Sequence, residues 1–513
     1  MKLYARIIAF LCAMLMLVAC FAACAETTDP EVTTENVAQT QGPENTEAET
    51  ERKDKDGYLL DDIPDELDYG KETVTILYWS DAERAEFDIK YEETDNIVEE
   101  AIYTRNVTVA ERLGITFEWI GQEGDSGQRA QFAKYVANAF AGGTYYDIIA
   151  TYSRTAGMLL SDGHLEDINS FEENYIDTSK PWWPENMLNT CTIDDSLFFV
   201  SGDISTNVLH FMYAVYYNMD MLTDLKLEDP IKKVDDMTWT IDALIDYSKE
   251  LYADTDQNGT ANDGDTYGFC STYFHLDAFY TGADLKLVDD DPDGILKISD
   301  DFWGQKSVDL VDKLGGWFKR GDCFVNPYGG GLNYGLPFEE GRALFCLNRV
   351  YMADNEYHSG VLRNVDWEYG ILPVPLYDEN QENYITVVGN PFTLWCVMKN
   401  ADNTAMSSAV IECMASEAYR KTSPALFENN MKYRYTPDSA GKGDGARMFD
   451  IVRQTICFDL GRIFSDDLKM MSEMPSRAAA DKISWAARIP SHKSVLSRSM
   501  DQLNAALEEI LDQ

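Results

Sequence analysis

Between Thr73 and Tyr152 the apolar pattern changes period four times, and that alternation constrains the fold more than any other feature of the chain. Thr73 to Trp79 is a β-rich run. Ile97 to Leu113 then places Val98, Ala101, Ile102, Val109 and Leu113 on one helical face, and Gly114 stops it. Ile115, Phe117 and Trp119 alternate as a strand, a second helix runs from Gln128 to Phe140 and ends at Gly142-Gly143, and Asp147 to Tyr152 is a third strand. Strand, helix, strand, helix, strand at this spacing requires right-handed crossovers and predicts an α/β fold around a parallel sheet. Ligands of such sheets sit beyond the carboxyl ends of the strands. The positions to watch are Trp79 and Ser80 after the first strand, and Tyr152, Ser153 and Arg154 after the third. The 513 residues exceed what one hydrophobic core organises, so two lobes are expected.

Ahead of this region, Lys2 and Arg6 precede an apolar run from Ile7 to Val18 and then Leu17-Val18-Ala19-Cys20, the pattern of a secretory signal with a lipobox. Residues 1–20 read as a lipoprotein signal peptide, with Cys20 as the acylated residue and Cys24 as a poorer second candidate. Residues 21–57 are Thr, Glu, Pro, Gln and Asn with almost no large apolar side chain, which predicts a disordered tether. The expected location is outside the cell, lipid-anchored to the outer face of the cell membrane.

The net charge of −47 argues against nucleic acid or an anionic membrane surface as partner, since both need a positive face. Aromatics are plentiful, with 29 Tyr, 23 Phe and 10 Trp, which favours large, partly exposed aromatic surfaces. Beyond the anchor region, Cys191, Cys270, Cys323, Cys346, Cys396, Cys413 and Cys457 are an odd, scattered set without a Cys-x-x-Cys, and read as buried thiols. The five histidines form no zinc spacing, and no serine-hydrolase or zincin signature is present. Tyr328 to Tyr334 holds three glycines but no phosphate-cradle context and reads as a mobile loop.

The segment Asp254 to Asp265 has the spacing of a calcium loop. Hard divalent cations take six to eight oxygens, and the EF-hand pattern draws them from positions 1, 3, 5, 7, 9 and 12 with glycine at 6. Here these are Asp254, Asp256, Asn258, Thr260 through its carbonyl, Asn262 through water, and Asp265, with Gly259 at the turn. Position 12 is Asp instead of Glu. Thr240 to Tyr252 reads as a helix before the loop, but Thr266-Tyr267-Gly268-Phe269 after it reads as strand, so no helix pair exists to open. The expected cofactor is a structural Ca2+ clip.

Several runs resemble the extracellular solute-binding proteins of ABC importers, in their carbohydrate-binding, maltose-binding-protein-like branch. They are Tyr146-Asp147-Ile148-Ile149 with Gly163-His164-Leu165-Glu166-Asp167, Leu197 to Ile204, Tyr216 to Leu222, Trp239 to Leu244, Asp265 to Phe269, Phe338 to Leu347, and Trp367 to Pro375, in the family's order. The resemblance implies a periplasmic-binding-protein-like (type II) two-lobe fold with hinge crossings and an interlobe cleft. It places the outward crossing near Ser201 to Ser205 and the return between Pro373 and Asn390. Lobe 1 would comprise 58–203 and a return segment 388–435, lobe 2 would span 204–387, and 436–513 would be a C-terminal helical region whose stripe of Met500, Leu503, Leu507 and Ile510 packs on a lobe. By position in the family pattern the implied ligand contacts are Trp79, Tyr152, Arg154, Asp203, His275, Asp277, Asn348, Arg349, Tyr351 and Asn390. Each such aromatic has an ordinary role in the core, and each arginine one in a surface ion pair.

The function implied is a lipid-anchored, non-enzymatic substrate-binding subunit that captures an oligosaccharide or other small solute and delivers it to ABC permease subunits. With 89 acidic residues, a secreted glycoside hydrolase with paired carboxylates stays open, as does a surface glycan-binding lipoprotein that transports nothing.

Overall fold

A computed structural model describes residues 52–512, except 95, 293–294, 328–332, 354–361, 363–364 and 433–441. The signal peptide, Cys20 and Cys24, most of the tether, and the glycines of the 328–334 loop lie outside the described residues. From Glu51 onward the chain is one compact unit. Order begins earlier than composition implied: Lys53 bridges to Leu59, and the Tyr58 ring meets Tyr419 edge-on at 5.5 Å, so 52–57 belong to the folded body.

The first lobe is built on β1 (Glu72–Trp79), α1 (Ile97–Leu113), β2 (Ile115–Gln122), α2 (Arg129–Ala141), β3 (Ile148–Tyr152) and α3 (Ser153–Ser161). Helix α1 starts where the Asn96 side chain accepts from the amides of Val98 and Glu99, and ends at Gly114 in the left-handed region. Strand β1 pairs in parallel with β2 on one side and β3 on the other, as right-handed crossovers require.

The second lobe carries α4 (Thr206–His210), β4 (Tyr213–Asn218), α5 (Ile241–Tyr247), β5 (Tyr267–Thr272), α6 (Asp277–Gly282), α7 (Gln305–Phe318), β6 (Cys323–Asn326), β7 (Ala343–Arg349) and β8 (Tyr369–Leu372). Its five-stranded sheet runs β6-β5-β7-β4-β8, parallel from β6 to β7 and antiparallel beyond. Helix α5 stops at Tyr247, short of the expected Tyr252. The chain turns at Ser248 because Gly268 packs against it, where a Cβ would lie 2.1 Å from the Ser248 carbonyl oxygen.

The chain returns to lobe 1 as β9 (Thr393–Val397), antiparallel to β3, followed by α8 (Thr404–Glu417). The two crossings lie side by side. Val200 bridges Trp395 at the lobe 1 end and Met212 bridges Val388 at the lobe 2 end. Gly202, with φ of 149°, is required there because a Cβ would meet the Trp182 carbonyl at 2.2 Å. A third passage joins them: Ile456 and Cys457 pair in parallel with Thr386 and Val387, and α9 (Leu460–Ile463) then seats against Gly157 of α3. Helices α10 (Met474–Ala480) and α11 (Trp485–Leu511) complete the fold. α11 buries Leu496, Met500, Leu503 and Leu507 and touches both lobes, through α3 on one side and α7 on the other. Among the described residues, no helix is long and apolar enough to cross a membrane, and all seven cysteines are free thiols.

Candidate functional site

The carboxyl ends of β1, β3, β5 and β7 converge with the crossings, and most of the positions read from the sequence meet there. Trp79 closes β1 and is wholly enclosed, its Nε1 donating to Thr393 Oγ1 at 2.9 Å and its ring edge-on to Tyr152 at 5.4 Å. It braces Tyr152 from inside lobe 1 and offers no open face for stacking. Tyr152 sits with the Arg129 guanidinium 5.6 Å over its ring; burial raises its hydroxyl pKa, against the pull of Arg154, Arg349 and Arg129. Arg154, at the start of α3, holds Asp466 through two 2.9 Å hydrogen bonds, and Arg129 reaches the same carboxylate at 3.3 Å.

Lobe 2 contributes the facing wall. Arg349 ends β7 with its guanidinium 5.0 Å over the Phe211 ring, 5.6 Å over Tyr213 and 5.8 Å over Phe274, and its Nε donates to the Tyr213 hydroxyl at 3.3 Å. Its neighbour Asn348 donates to Met352 Sδ at 3.1 Å and accepts from the Arg349 amide. Tyr351 lies beneath Arg84 of lobe 1 at 5.2 Å, a contact that spans the two lobes. His275 is completely buried among Tyr213, Phe274 and Tyr334. Burial first, and Arg349 second, hold its pKa well below the usual value, so the ring is neutral. Its Nδ1 faces the Leu347 carbonyl at 3.3 Å, and a proton there leaves Nε2 as a buried acceptor without a partner among the described residues.

Three positions serve the frame around this cluster. Asp277 pairs with Arg462 in a fully buried ion pair, and Arg462 also donates to the Val388 carbonyl of the return crossing. The Asn390 backbone carbonyl accepts from Ser153 Oγ at 2.7 Å, tying the crossing to α3. Asp203 lies elsewhere: it accepts from Arg453 at 2.8 Å and from Ser423, and it lines a separate groove of about 1210 Å³ with Gly202, Thr281, Tyr384 and Arg453. Burial raises its carboxyl pKa, opposed by Arg453. None of Tyr152, Arg154, Arg349 or Tyr351 lines that groove. The candidate site is the cluster at the strand ends, where both lobes present their loops.

Sequence reading missed Arg84, Arg129, Tyr213, Phe274 and Asp466. Position after a strand flagged Arg154, but nothing local points to Asp466, 312 residues away. The start of α2 would have flagged Arg129, because helices after parallel strands open toward the same edge.

The calcium-type loop is a separate feature. Ala253 and Thr266 bridge at its neck, and Asp254, Asp256 and Asp265 bring carboxylate oxygens within 4.8 Å of one another. The Gly259 amide donates to Asp254 at 3.0 Å, and Asp265, wholly buried, accepts from Thr255 and Asn262 amides. One oxygen of Asp254 is buried and accepts no hydrogen bond from the described residues. Asn258 and Asn262 turn their amide nitrogens toward Asp256, and the Asn258 oxygen accepts from the Thr260 amide. The carboxylates fit a hard divalent cation; the two asparagine side chains must turn to offer it oxygen.

Two α/β lobes, paired crossings and a polar-aromatic cleft at converging strand ends define a two-lobe ligand-binding protein of the type II periplasmic-binding-protein class. The chain belongs to the bacterial extracellular solute-binding proteins, whose family model matches residues 94–421. No curated protein matches it. Among solved structures it is similar to an ABC substrate-binding protein from Listeria monocytogenes in complex with cycloalternan, at 11% identity and a TM-score of 0.54 over 84% of this chain and 99% of that one. The cyclic alpha-maltosyl-1,6-maltose binding protein from Arthrobacter globiformis gives 14% and 0.54 over 86% and 99%. The galacto-N-biose/lacto-N-biose I-binding protein of the ABC transporter from Bifidobacterium longum, in complex with lacto-N-biose, gives 11% and 0.54 over 85% and 98%. At these identities the likeness is one of fold.

Proposed function

We propose that the protein is the lipid-anchored substrate-binding subunit of an ABC importer, and that it captures an oligosaccharide in the cleft between its lobes. The observation that carries this is the strand-end cluster, where Tyr152, Tyr213, Tyr334 and Tyr351 converge with arginines from both lobes beside two bridged crossings. Aromatic faces take the C–H surfaces of sugars, and planar polar groups take their hydroxyls. The solved structures with this fold named above bind oligosaccharides, which supports the same ligand class here. Binding closes the lobes on the solute, and only a ligand with higher affinity for the closed state shifts that equilibrium. The closed form is what a permease would accept. Delivery of Cys20 to the membrane by the lipobox, with the tether as spacer, completes the reading as a lipoprotein.

Asp466, the carboxylate of this cluster that ion-pairs with Arg154 and Arg129, is committed to those two arginines, which favours a binder over a glycoside hydrolase. The loop from Asp254 to Asp265 is assigned a structural Ca2+ held by Asp254, Asp256, Asn258, the Thr260 carbonyl and Asp265. The deciding experiment is a thermal-shift screen against oligosaccharides of varied linkage, with reducing-end release measured in parallel. Stabilisation without turnover is the expected result; no stabilisation by any solute, or release of reducing ends, overturns the reading.

A further inference from the structure

The charge of the cleft runs against the charge of the chain. Asp and Glu outnumber Lys and Arg 89 to 42, yet the strand-end cluster gathers Arg84, Arg129, Arg154 and Arg349 around Glu83 and Asp466. Arg129 and Arg154 share the single carboxylate of Asp466. Arg349 has no such partner: among the described residues no carboxylate reaches it at ion-pair distance, and its one side-chain hydrogen bond is from Nε to Tyr213. Withdrawing a guanidinium from water among three aromatic rings is costly without a counter-charge, and the rings return only part of that cost. The return crossing is kept bare to make room for it, since a Cβ at Gly389 would lie 2.6 Å from Arg349 Nε. What Arg349 leaves open is the other edge of its planar fork, the edge that takes a carboxylate through two parallel hydrogen bonds.

We propose that Arg349 is the anchor for a carboxylate on the ligand, so that the captured solute is an acidic, uronate-containing oligosaccharide. This rests on the reading of the cleft as a sugar site and narrows it. A neutral sugar would leave Arg349 without a carboxylate at ion-pair distance on closure, with Glu83 acting only from farther off; a uronate supplies that partner where water is being expelled.

The test is calorimetric titration of the full-length chain in detergent micelles with oligogalacturonides, alginate oligomers and glucuronoxylan oligomers. Each is run beside its carboxyl-reduced neutral twin, at low and high salt. At least one uronate oligomer is expected to bind about tenfold more tightly than its twin, as a charge-assisted bidentate pair implies, with the preference shrinking in salt. Arg349→Gln is expected to erase the preference, and Arg349→Lys, which keeps the charge but not the fork, to retain part of it. Equal or tighter binding of the neutral twins overturns the inference and leaves the sugar reading standing. So does a uronate preference that survives Arg349→Gln. Binding of neither class overturns both. If Arg349→Gln melts abnormally, the Lys variant decides, because an unchanged preference there would exclude the fork.

Discussion

The strand-end cleft and the loop from Asp254 to Asp265 are opposites in construction. The loop is local: twelve consecutive residues supply all its oxygens, most of them exposed, and its acidity matches that of the whole chain. The cleft is assembled from residues hundreds of positions apart, is mostly buried, and is basic in an acidic protein. A site whose geometry is set by spacing can be read from the chain directly and tuned by one ion. A site set by tertiary packing depends on the buried frame behind it, and its chemistry emerges only when distant elements meet.

If that contrast holds, the frame of the cleft is where damage is greatest. Asp277→Asn leaves the Arg462 guanidinium buried without its counter-charge and is expected to cost about 3–5 kcal/mol in urea unfolding, with the second crossing loosened through Val388. Trp79→Ala removes a fully buried indole behind Tyr152 and is expected to cost roughly 3–5 kcal/mol by the same measurement. Either variant unfolding like the parent would mean the strand ends are not braced from within.

The loop should respond to the ion and to little else. Calcium at a hundredfold excess over its dissociation constant is expected to add about 2.7 kcal/mol, read as a rise in Tm, and Asp265→Asn to abolish that rise. An unchanged Tm in the parent, with and without chelator, would reduce the loop to an acidic turn. The last effect is one of pH. Burial pushes the Glu412 carboxyl of α8 up to about 8, against the hydrogen bond it accepts from Trp183. An acid whose pKa is raised on folding retains a proton that the unfolded chain releases, so stability falls as pH climbs from the ordinary carboxyl range toward 8. Melting curves between pH 5.5 and 8.5 should show this decline, and Glu412→Gln should flatten it; a decline that persists in the variant would place the titration elsewhere.

The same contrast explains what was legible beforehand. The alternation from Thr73 to Tyr152 yielded every strand and helix there, with ends within a residue of those observed except that β2 continues past Trp119 to Gln122, because Asn96, Gly114 and Gly142 punctuate the chain locally. The run of family-like segments, in order, carried the two-lobe fold. Helix α5 was read too long because its end is dictated by Gly268 pressing on Ser248, a contact between elements. In the cleft, Arg154 was legible from its place at a strand end, and Arg349 from its position in the family pattern. Their contrasting fates, one paired with Asp466 and one facing aromatic rings, were not, since both partners come from other parts of the chain. Trp79 was flagged by the same strand-end logic, but its indole turns inward to Thr393.

The third passage, from Thr455 through Ile463, bears on how the molecule can move. A pair of bridged strands can both bend and twist, whereas a third strut fixed to Thr386 at one end and to α3 at the other resists twisting and leaves bending free. With α11 leaning on α3 and α7 together, the lobes are guided along a single arc. One pair of dyes, placed across the mouth of the cleft, would then report the whole of the motion, making the protein a natural scaffold for a solute sensor.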